Sequence, residues 1–134
     1  MPHHALRLRP GDDLRGGLEA FVADRDLRAA WVATCVGSLT DVHVRLADQA
    51  GGTRLAGRYE IVGLVGTLSA AGGSHLHLAV ADGRGRVTGG HVLPGGNLVY
   101  TTAEVVIGYE GGLAFAREVD PATGFRELVI RPRG

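Results

Sequence analysis

Short turns separate the apolar segments of this chain, and this feature constrains the fold more than any other. Apolar, β-branched runs at residues 29–39 and 97–110 are typical of strands, as is the alternating run DVHVRLA at residues 41–47. Turn sequences such as DQAGG and DGRG lie between such runs. Parallel strands need a crossover of a dozen or more residues, so connections this short join antiparallel strands. The 22 glycines are scattered without a fixed period, which is typical of a turn-rich β protein.

One segment near the N-terminus has helical periodicity instead. Asp12 or Asp13 can cap this helix, and apolar residues follow at helical spacing: Leu14, Leu18, Phe21 and Val22. We therefore predict an α+β fold, mainly an antiparallel β-sheet of seven to eight strands with one main helix. The 134 residues are enough to bury a core without disulfides, and we expect a single domain over residues 1–134.

Composition excludes some classes of protein. Fourteen basic and fourteen acidic residues give a formal net charge of zero, so overall charge does not support DNA binding, which usually leaves a basic footprint. No apolar stretch approaches the ~18–20 residues of a membrane helix, and the first residues lack a signal-peptide core. We expect a cytoplasmic protein without a membrane partner. Cys35 has no second cysteine to pair with, and we expect it to be a small buried residue.

Three histidines in a glycine-rich stretch form the candidate site. His75 and His77 share one face of a strand, about 6.5 Å apart at Cα, and the small residues Ala79 and Ala81 leave space beside them. His91 follows two glycines on a returning segment, so it can approach the pair. We predict that His75, His77 and His91 bind a divalent transition metal, zinc before the others. The alternative is that His75 and His77 merely form the polar face of an edge strand.

The sequence also predicts roles for the other carboxylates and histidines. Glu60 and Glu104 are candidates for an additional ligand or for support of the ligands. Asp82 is expected to hold the DGRG turn instead. We expect His43 to face solvent on a strand, and His3 and His4 to lie in a frayed terminus.

The ordered set of motifs resembles the plants-and-prokaryotes-conserved (PPC) domain family, as a prokaryotic stand-alone member. HLHLAVADGRGRVTGGH is similar to the prokaryotic signature, and LRLRPGDDLRGGLEAFV resembles the opening strand and helix. GRYEIVGLVGTL resembles a plant segment and marks an interaction motif at Gly57, Arg58, Tyr59, Glu60 and Ile61. The resemblance implies a homotrimer and, in some prokaryotic members, a metal at these histidines. Prokaryotic members are often labelled predicted DNA-binding proteins, by analogy with plant relatives.

Three functions remain open at this point. The first is a trimeric regulatory module that carries a metal and contacts DNA, a protein or a small ligand. The second is a metal-dependent enzyme with cupin-like chemistry, in which Glu104 serves as general base. Cupins place a glutamate soon after the HxH pair, whereas Leu78 to Ala81 fill that window here, so we favour the binding module. The third is an interaction scaffold whose histidines hold no ion.

Overall fold

The computed structural model describes residues 2–134, which form eight strands and one helix. In chain order the elements are β1 (His3–Leu8), α1 (Leu14–Asp24), β2 (Ala30–Arg45), β3 (Thr53–Leu68), β4 (His75–Ala81), β5 (Val87–Val92), β6 (Leu98–Tyr109), β7 (Leu113–Val119) and β8 (Arg126–Pro132). This architecture confirms the predicted α+β class, with one helix near the N-terminus. None of the helical residues within this range forms a segment long and apolar enough to cross a membrane.

Six strands form an antiparallel sheet in the order β1-β6-β2-β3-β4-β5. The end of β2 also pairs with β5, where Val44 lies opposite Val92 and Arg45 lies opposite His91. This extra pairing closes β2, β3, β4 and β5 into a ring. Strands β7 and β8 form a separate antiparallel hairpin.

Helix α1 covers the core and begins at a capped end. The Asp13 carboxylate accepts a hydrogen bond from the Gly16 amide at 2.8 Å, which satisfies one of the free amides of the first turn. Leu14, Leu18 and Val22 are almost completely buried, as their spacing predicts. They join the inward-facing apolar side chains of the sheet in one core cluster.

Three details differ from the prediction. The sequence predicts separate strands at residues 29–39 and 41–47, but β2 is continuous, because a register shift between Leu39 and Asp41 keeps both halves paired with their neighbours. Strand β5 was not predicted as a separate strand. The expectation of a frayed terminus is wrong for His3 and His4, since both pair with β6 and the His4 ring stacks on Tyr109.

Candidate metal centre

Strand β4 presents two histidines on the outer side of the ring of strands. Leu76 and Leu78 point into the core with 0% and 2% exposure, whereas His75 is half-buried and His77 is exposed. This alternation follows from the two-residue period of a strand. It confirms the prediction that His75 and His77 share a face.

Strand β5 brings the third histidine alongside, because His91 lies directly opposite His77 in the β4–β5 ladder. Two glycines allow this close packing. A Cβ atom on Gly89 would lie 2.3 Å from the Leu78 carbonyl oxygen, and one on Gly90 would lie 2.4 Å from the Arg45 carbonyl oxygen. Any larger residue would force the backbones apart, so Gly89 and Gly90 set the position of His91.

The three imidazoles lie close enough together to bind one ion. One ring nitrogen from each of His75, His77 and His91 lies within 4.8 Å of the other two, and the ring centroids are 5.0 to 5.8 Å apart. Nitrogens bound to one tetrahedral zinc ion are about 3.4 Å apart, given Zn–N distances of about 2.0–2.1 Å. The nitrogens therefore need to close by at most about 1.4 Å, which side-chain rotation can supply. The residues present fit a transition metal with three nitrogen ligands.

The surroundings keep two of the imidazoles neutral. Burial, with Arg45 next in effect, lowers the pKa of His91 to about 4. Burial and the neighbouring Arg117 guanidinium also lower the pKa of His75. A neutral imidazole offers a lone pair to a metal, whereas an imidazolium offers none. At pH 7 both side chains are therefore in the form that binds metal.

The β7–β8 hairpin places Arg117 against this cluster. Its Nη2 atom lies 3.1 Å from Nδ1 of His75 and donates to the Arg126 carbonyl oxygen at 3.0 Å. A guanidinium has no acceptor, so Nδ1 of His75 accepts this hydrogen bond. Gly73 makes room for the contact, since a Cβ atom there would lie 2.4 Å from Cγ of Arg117. Arg117 is not predictable from the sequence, because no local pattern links β7 to a strand some forty residues earlier.

The histidines, the hairpin and the end of β2 enclose a cleft of about 320 Å³. Its lining residues are Arg45, Ser74, His75, His77, His91, Arg117, Phe125, Arg126 and Glu127. Three arginines face one glutamate at this cleft, so its rim carries a net positive charge. Phe125 is 72% exposed and supplies an apolar wall.

Helix α1 holds the strand ends that carry the histidines. The Glu19 carboxylate accepts a hydrogen bond from the Ser74 hydroxyl at 2.6 Å, next to His75. The Arg15 guanidinium donates to the Val92 carbonyl oxygen at 2.8 Å, next to His91. Arg15 and Glu19 also pair with each other, with Nε and Oε1 3.5 Å apart. This network ties both histidine-bearing strands to the same two turns of helix.

The structure does not bring the predicted carboxylates to the histidines. Among residues 2–134, the cluster of metal-ligand side chains contains only His75, His77 and His91. Glu60 lies opposite Ala81, four residues along β4 from His77. Glu104 lies opposite Arg7 and Val36, on strands that carry none of the three histidines.

The other predicted residues occupy structural positions. The Asp82 carboxylate accepts hydrogen bonds from the amides of Arg84 and Arg86 at 2.8 and 3.0 Å, which confirms its role in the turn. His43 points away from the core, between the buried Val42 and Val44, and is half-buried, with its Nδ1 donating to the Gly95 carbonyl oxygen at 2.9 Å. Cys35 is half-buried, and burial raises the pKa of its thiol to about 11, so it stays protonated at neutral pH.

A second cleft contains part of the predicted interaction motif. It measures about 390 Å³ and is lined by Val36, Gly37, Ser38, Arg58, Tyr59, Glu60, Ala81, Asp82, Gly83, Tyr100, Thr101 and Thr102. The guanidinium of Arg58 lies over the ring of Tyr100, 4.4 Å from its centroid. Val36 is 60% exposed beside this cleft. Arg58, Tyr59 and Glu60 therefore line a cleft apart from the histidines, whereas Ile61 is buried in the core with 6% exposure.

Curated relatives cover nearly all of this chain. The bifunctional protein GlmU of Synechococcus sp. (strain JA-2-3B'a(2-13)) is 48% identical over 129 residues, which make up 96% of this chain and 20% of GlmU. GlmU of Synechococcus sp. (strain JA-3-3Ab) is 49% identical over 127 residues. The chain thus spans about a fifth of the length of the curated relatives that it matches.

Solved structures share the fold. A hypothetical protein from Salmonella cholerae-suis has a TM-score of 0.94 and 48% identity, over 98% of this chain and 94% of that protein. A candidate DNA-binding protein from Ralstonia eutropha has a TM-score of 0.80 and 23% identity, over 93% and 89% of the two chains. A metal-containing protein from Archaeoglobus fulgidus has a TM-score of 0.74 and 23% identity, over 95% and 92%.

The sequence profile of one family agrees with the motifs around the histidines. The profile of the Plants and Prokaryotes Conserved (PCC) domain matches residues 1–109, from β1 through β6. This range includes all three histidines, whereas the β7–β8 hairpin with Arg117 follows it. The chain belongs to the Plants and Prokaryotes Conserved domain family.

Proposed function

We propose that this protein is a small metal-binding regulatory module, in which His75, His77 and His91 hold one divalent transition ion. The observation that carries this proposal is the convergence of one nitrogen from each imidazole within 4.8 Å. Neutral His75 and His91 support it, because ligand binding needs no prior loss of a proton from an imidazolium. The metal content that gives the Archaeoglobus fulgidus relative its name is consistent with it.

Zinc is the ion we propose. Three nitrogen ligands with one position left open are typical of tetrahedral zinc sites that bind a further group. Imidazole also binds copper, iron and nickel, and elemental analysis distinguishes zinc from these metals. When bound, such an ion supplies a Lewis acid at the bottom of the cleft.

Elemental analysis of protein expressed without a histidine tag tests this proposal. We expect about one ion per chain, and we expect His75→Ala or His77→Ala to lose it. His43→Ala is the matched control, since His43 contacts the Gly95 carbonyl outside the cluster, and it should keep the ion. A folded wild-type protein that holds no ion, even after incubation with zinc, would contradict the proposal and leave the interaction scaffold as the function.

Self-association as a homotrimer is the second part of the proposal. Val36, Val62 and Val65 are between 56% and 62% exposed on the outer surface of β2 and β3. Val36 and Val62 are neighbours across the two strands, one position from the Gly37–Ile61 pair. Isolated exposed apolar residues are common, but adjacent exposed apolar residues on a sheet, such as Val36 and Val62, are typical of a surface that another chain covers. We propose that further copies of this chain cover it.

DNA is a second proposed partner of the module, because three arginines line one cleft: Arg45, Arg117 and Arg126. The name of the Ralstonia eutropha relative points the same way. Fluorescence anisotropy with duplex DNA over a salt series tests this part. Phosphate contacts predict an affinity that falls steeply as salt rises, and weak binding that is unchanged by salt would remove DNA from the proposal.

We propose a binding module rather than an enzyme. The enzyme alternative assigned the general base to Glu104, which lies opposite Arg7 and Val36 in the sheet. A general base must come within hydrogen-bond reach of the proton that it removes. Glu104 has no such position relative to the three histidines.

A further inference from the structure

The hydrogen bond between Arg117 and His75 is incompatible with a metal ion on His75. Nδ1 of His75 accepts this bond from Nη2 of Arg117 at 3.1 Å. If the ion binds Nδ1, the acceptor lone pair is used. If the ion binds Nε2, the neutral imidazole carries its proton on Nδ1, which then donates and cannot accept from a guanidinium. Either mode of metal binding therefore releases Arg117 from His75.

The released guanidinium remains in a cleft that already contains unpaired positive charge. Arg45 lies directly opposite His91 in the β2–β5 ladder, so the two side chains share a face. Within residues 2–134 the Arg45 side chain makes no hydrogen bond or ion pair. Arg126 also lines the cleft, and Glu127 is the single carboxylate among the lining residues.

We propose that metal loading frees Arg117 to bind a small oxyanion, a carboxylate or a phosphate, in the cleft that Arg45 also lines. This inference rests on the proposed metal site. Planar guanidinium groups match carboxylate and phosphate oxygens in a bidentate manner. The cleft volume of about 320 Å³ is large enough for a small molecule, and Phe125 offers an apolar wall for its remainder.

Anion binding is then coupled to metal binding through one side chain. Nη2 of Arg117 has two partners in the metal-free protein, His75 and the Arg126 carbonyl oxygen. Metal loading removes His75 as a partner, and the anion replaces it. The ion itself adds a second attraction for the anion. Arg117→Gln should therefore have opposite effects on the affinities for the two ligands. It removes the side chain that competes with the metal for His75, and it removes the same side chain as a partner of the anion.

Isothermal titration calorimetry, first with zinc and then with inorganic phosphate or acetate, tests this inference. We expect at least one of the two anions to bind the zinc-loaded protein and neither to bind the chelator-treated protein. The two anions distinguish a phosphate site from a carboxylate site. In Arg117→Gln, zinc should bind about two- to tenfold more tightly, and the anion roughly tenfold or more weakly.

Two further variants make this test specific. Arg45→Gln changes an exposed side chain, and we expect a folded protein with weaker anion binding. Arg84→Gln removes the same charge in the turn beyond the other end of β4, which lies roughly 13 Å along the strand from His77, and should change neither affinity. Anion binding that is equal with and without zinc, or an Arg117→Gln protein with both affinities unchanged, overturns the inference.

The two proposals fail in different ways. Zinc binding without any anion binding overturns the inference about Arg117 and leaves the metal site in place. A protein that binds no zinc overturns the metal site and this inference with it.

Discussion

At the residue scale, the lowered pKa of His91 leads us to expect that the stability of the protein depends on pH. Burial and Arg45 lower its pKa to about 4, from an ordinary value of 6.5. Between these values the unfolded chain binds more protons than the folded protein, so the free energy of unfolding falls as pH falls. The contribution of His91 is complete above about pH 6.5 and is lost as the pH falls through about 4.

Urea unfolding of the chelator-treated protein, from about pH 7.5 down to about pH 4, measures this effect. We expect stability to decrease through this window, with a smaller decrease in His91→Gln, which has no imidazole to protonate. An NMR titration of the His91 ring provides the direct check. Protonation of His91 near pH 6.5 in the folded protein would contradict the prediction.

At the element scale, the packing of β3 on β4 depends on a glycine. Gly66 has a φ of +141°, and a Cβ atom there would lie 1.9 Å from the carbonyl oxygen of His75. We expect Gly66→Ala to lower the free energy of unfolding by about 2 kcal/mol or more. Because the His75 backbone has to move, the affinity for zinc should also fall.

Gly63→Ala is the matched control for Gly66→Ala on the same strand. Its Cβ atom would find the Ala79 side chain at 3.9 Å, an ordinary contact, so stability should change by less than about 0.5 kcal/mol. Chemical denaturation and zinc titration of both variants make the comparison. Equal stability of the two variants would contradict the close approach of the backbones at Gly66.

Local sequence patterns predicted the helix and most of the strands, but not the full extent of β2 or the existence of β5. The helix at Leu14–Asp24 and the alternating burial of side chains in β4 follow from the spacing of apolar residues that are close together in the sequence. The merging of two predicted strands into β2 depends on pairing with both β3 and β6 around a register shift. Strand β5 carries Gly89 and Gly90, residues with low strand propensity, and its pairing with β4 and β2 overrides that preference.

At the scale of the whole molecule, the three histidines were predictable and the arginines around them were not. HxH on a strand face and a histidine after two glycines are local signals, and the structure brings these residues together. Arg117 and Arg126 belong to a hairpin that packs over the cleft through contacts between residues that are far apart in the sequence. Among these is the hydrogen bond from the Phe115 amide to the Arg28 carbonyl oxygen at 2.8 Å. Such contacts leave no periodic pattern in the sequence.

The proposed homotrimer combines an exposed apolar surface on the sheet with the assembly that the family resemblance implies. Analytical ultracentrifugation should give a mass three times that of the 14.0 kDa chain. Val36→Glu and Val62→Glu place a charge on the apolar surface and should shift the protein toward monomer, because burying an unpaired charge is costly. Val119→Glu is the control, since Val119 is 64% exposed at the end of β7. A wild-type protein that sediments as a monomer would contradict the homotrimer.

The central claim is that His75, His77 and His91 bind one ion together. Anomalous diffraction from crystals of the untagged, zinc-loaded protein, recorded on both sides of the zinc absorption edge, tests it most directly. We predict one anomalous peak per chain, with a nitrogen of each of the three imidazoles about 2.0–2.1 Å from the ion. Crystals with no peak at this position, or with a peak that fewer than three of these histidines approach, would contradict the claim.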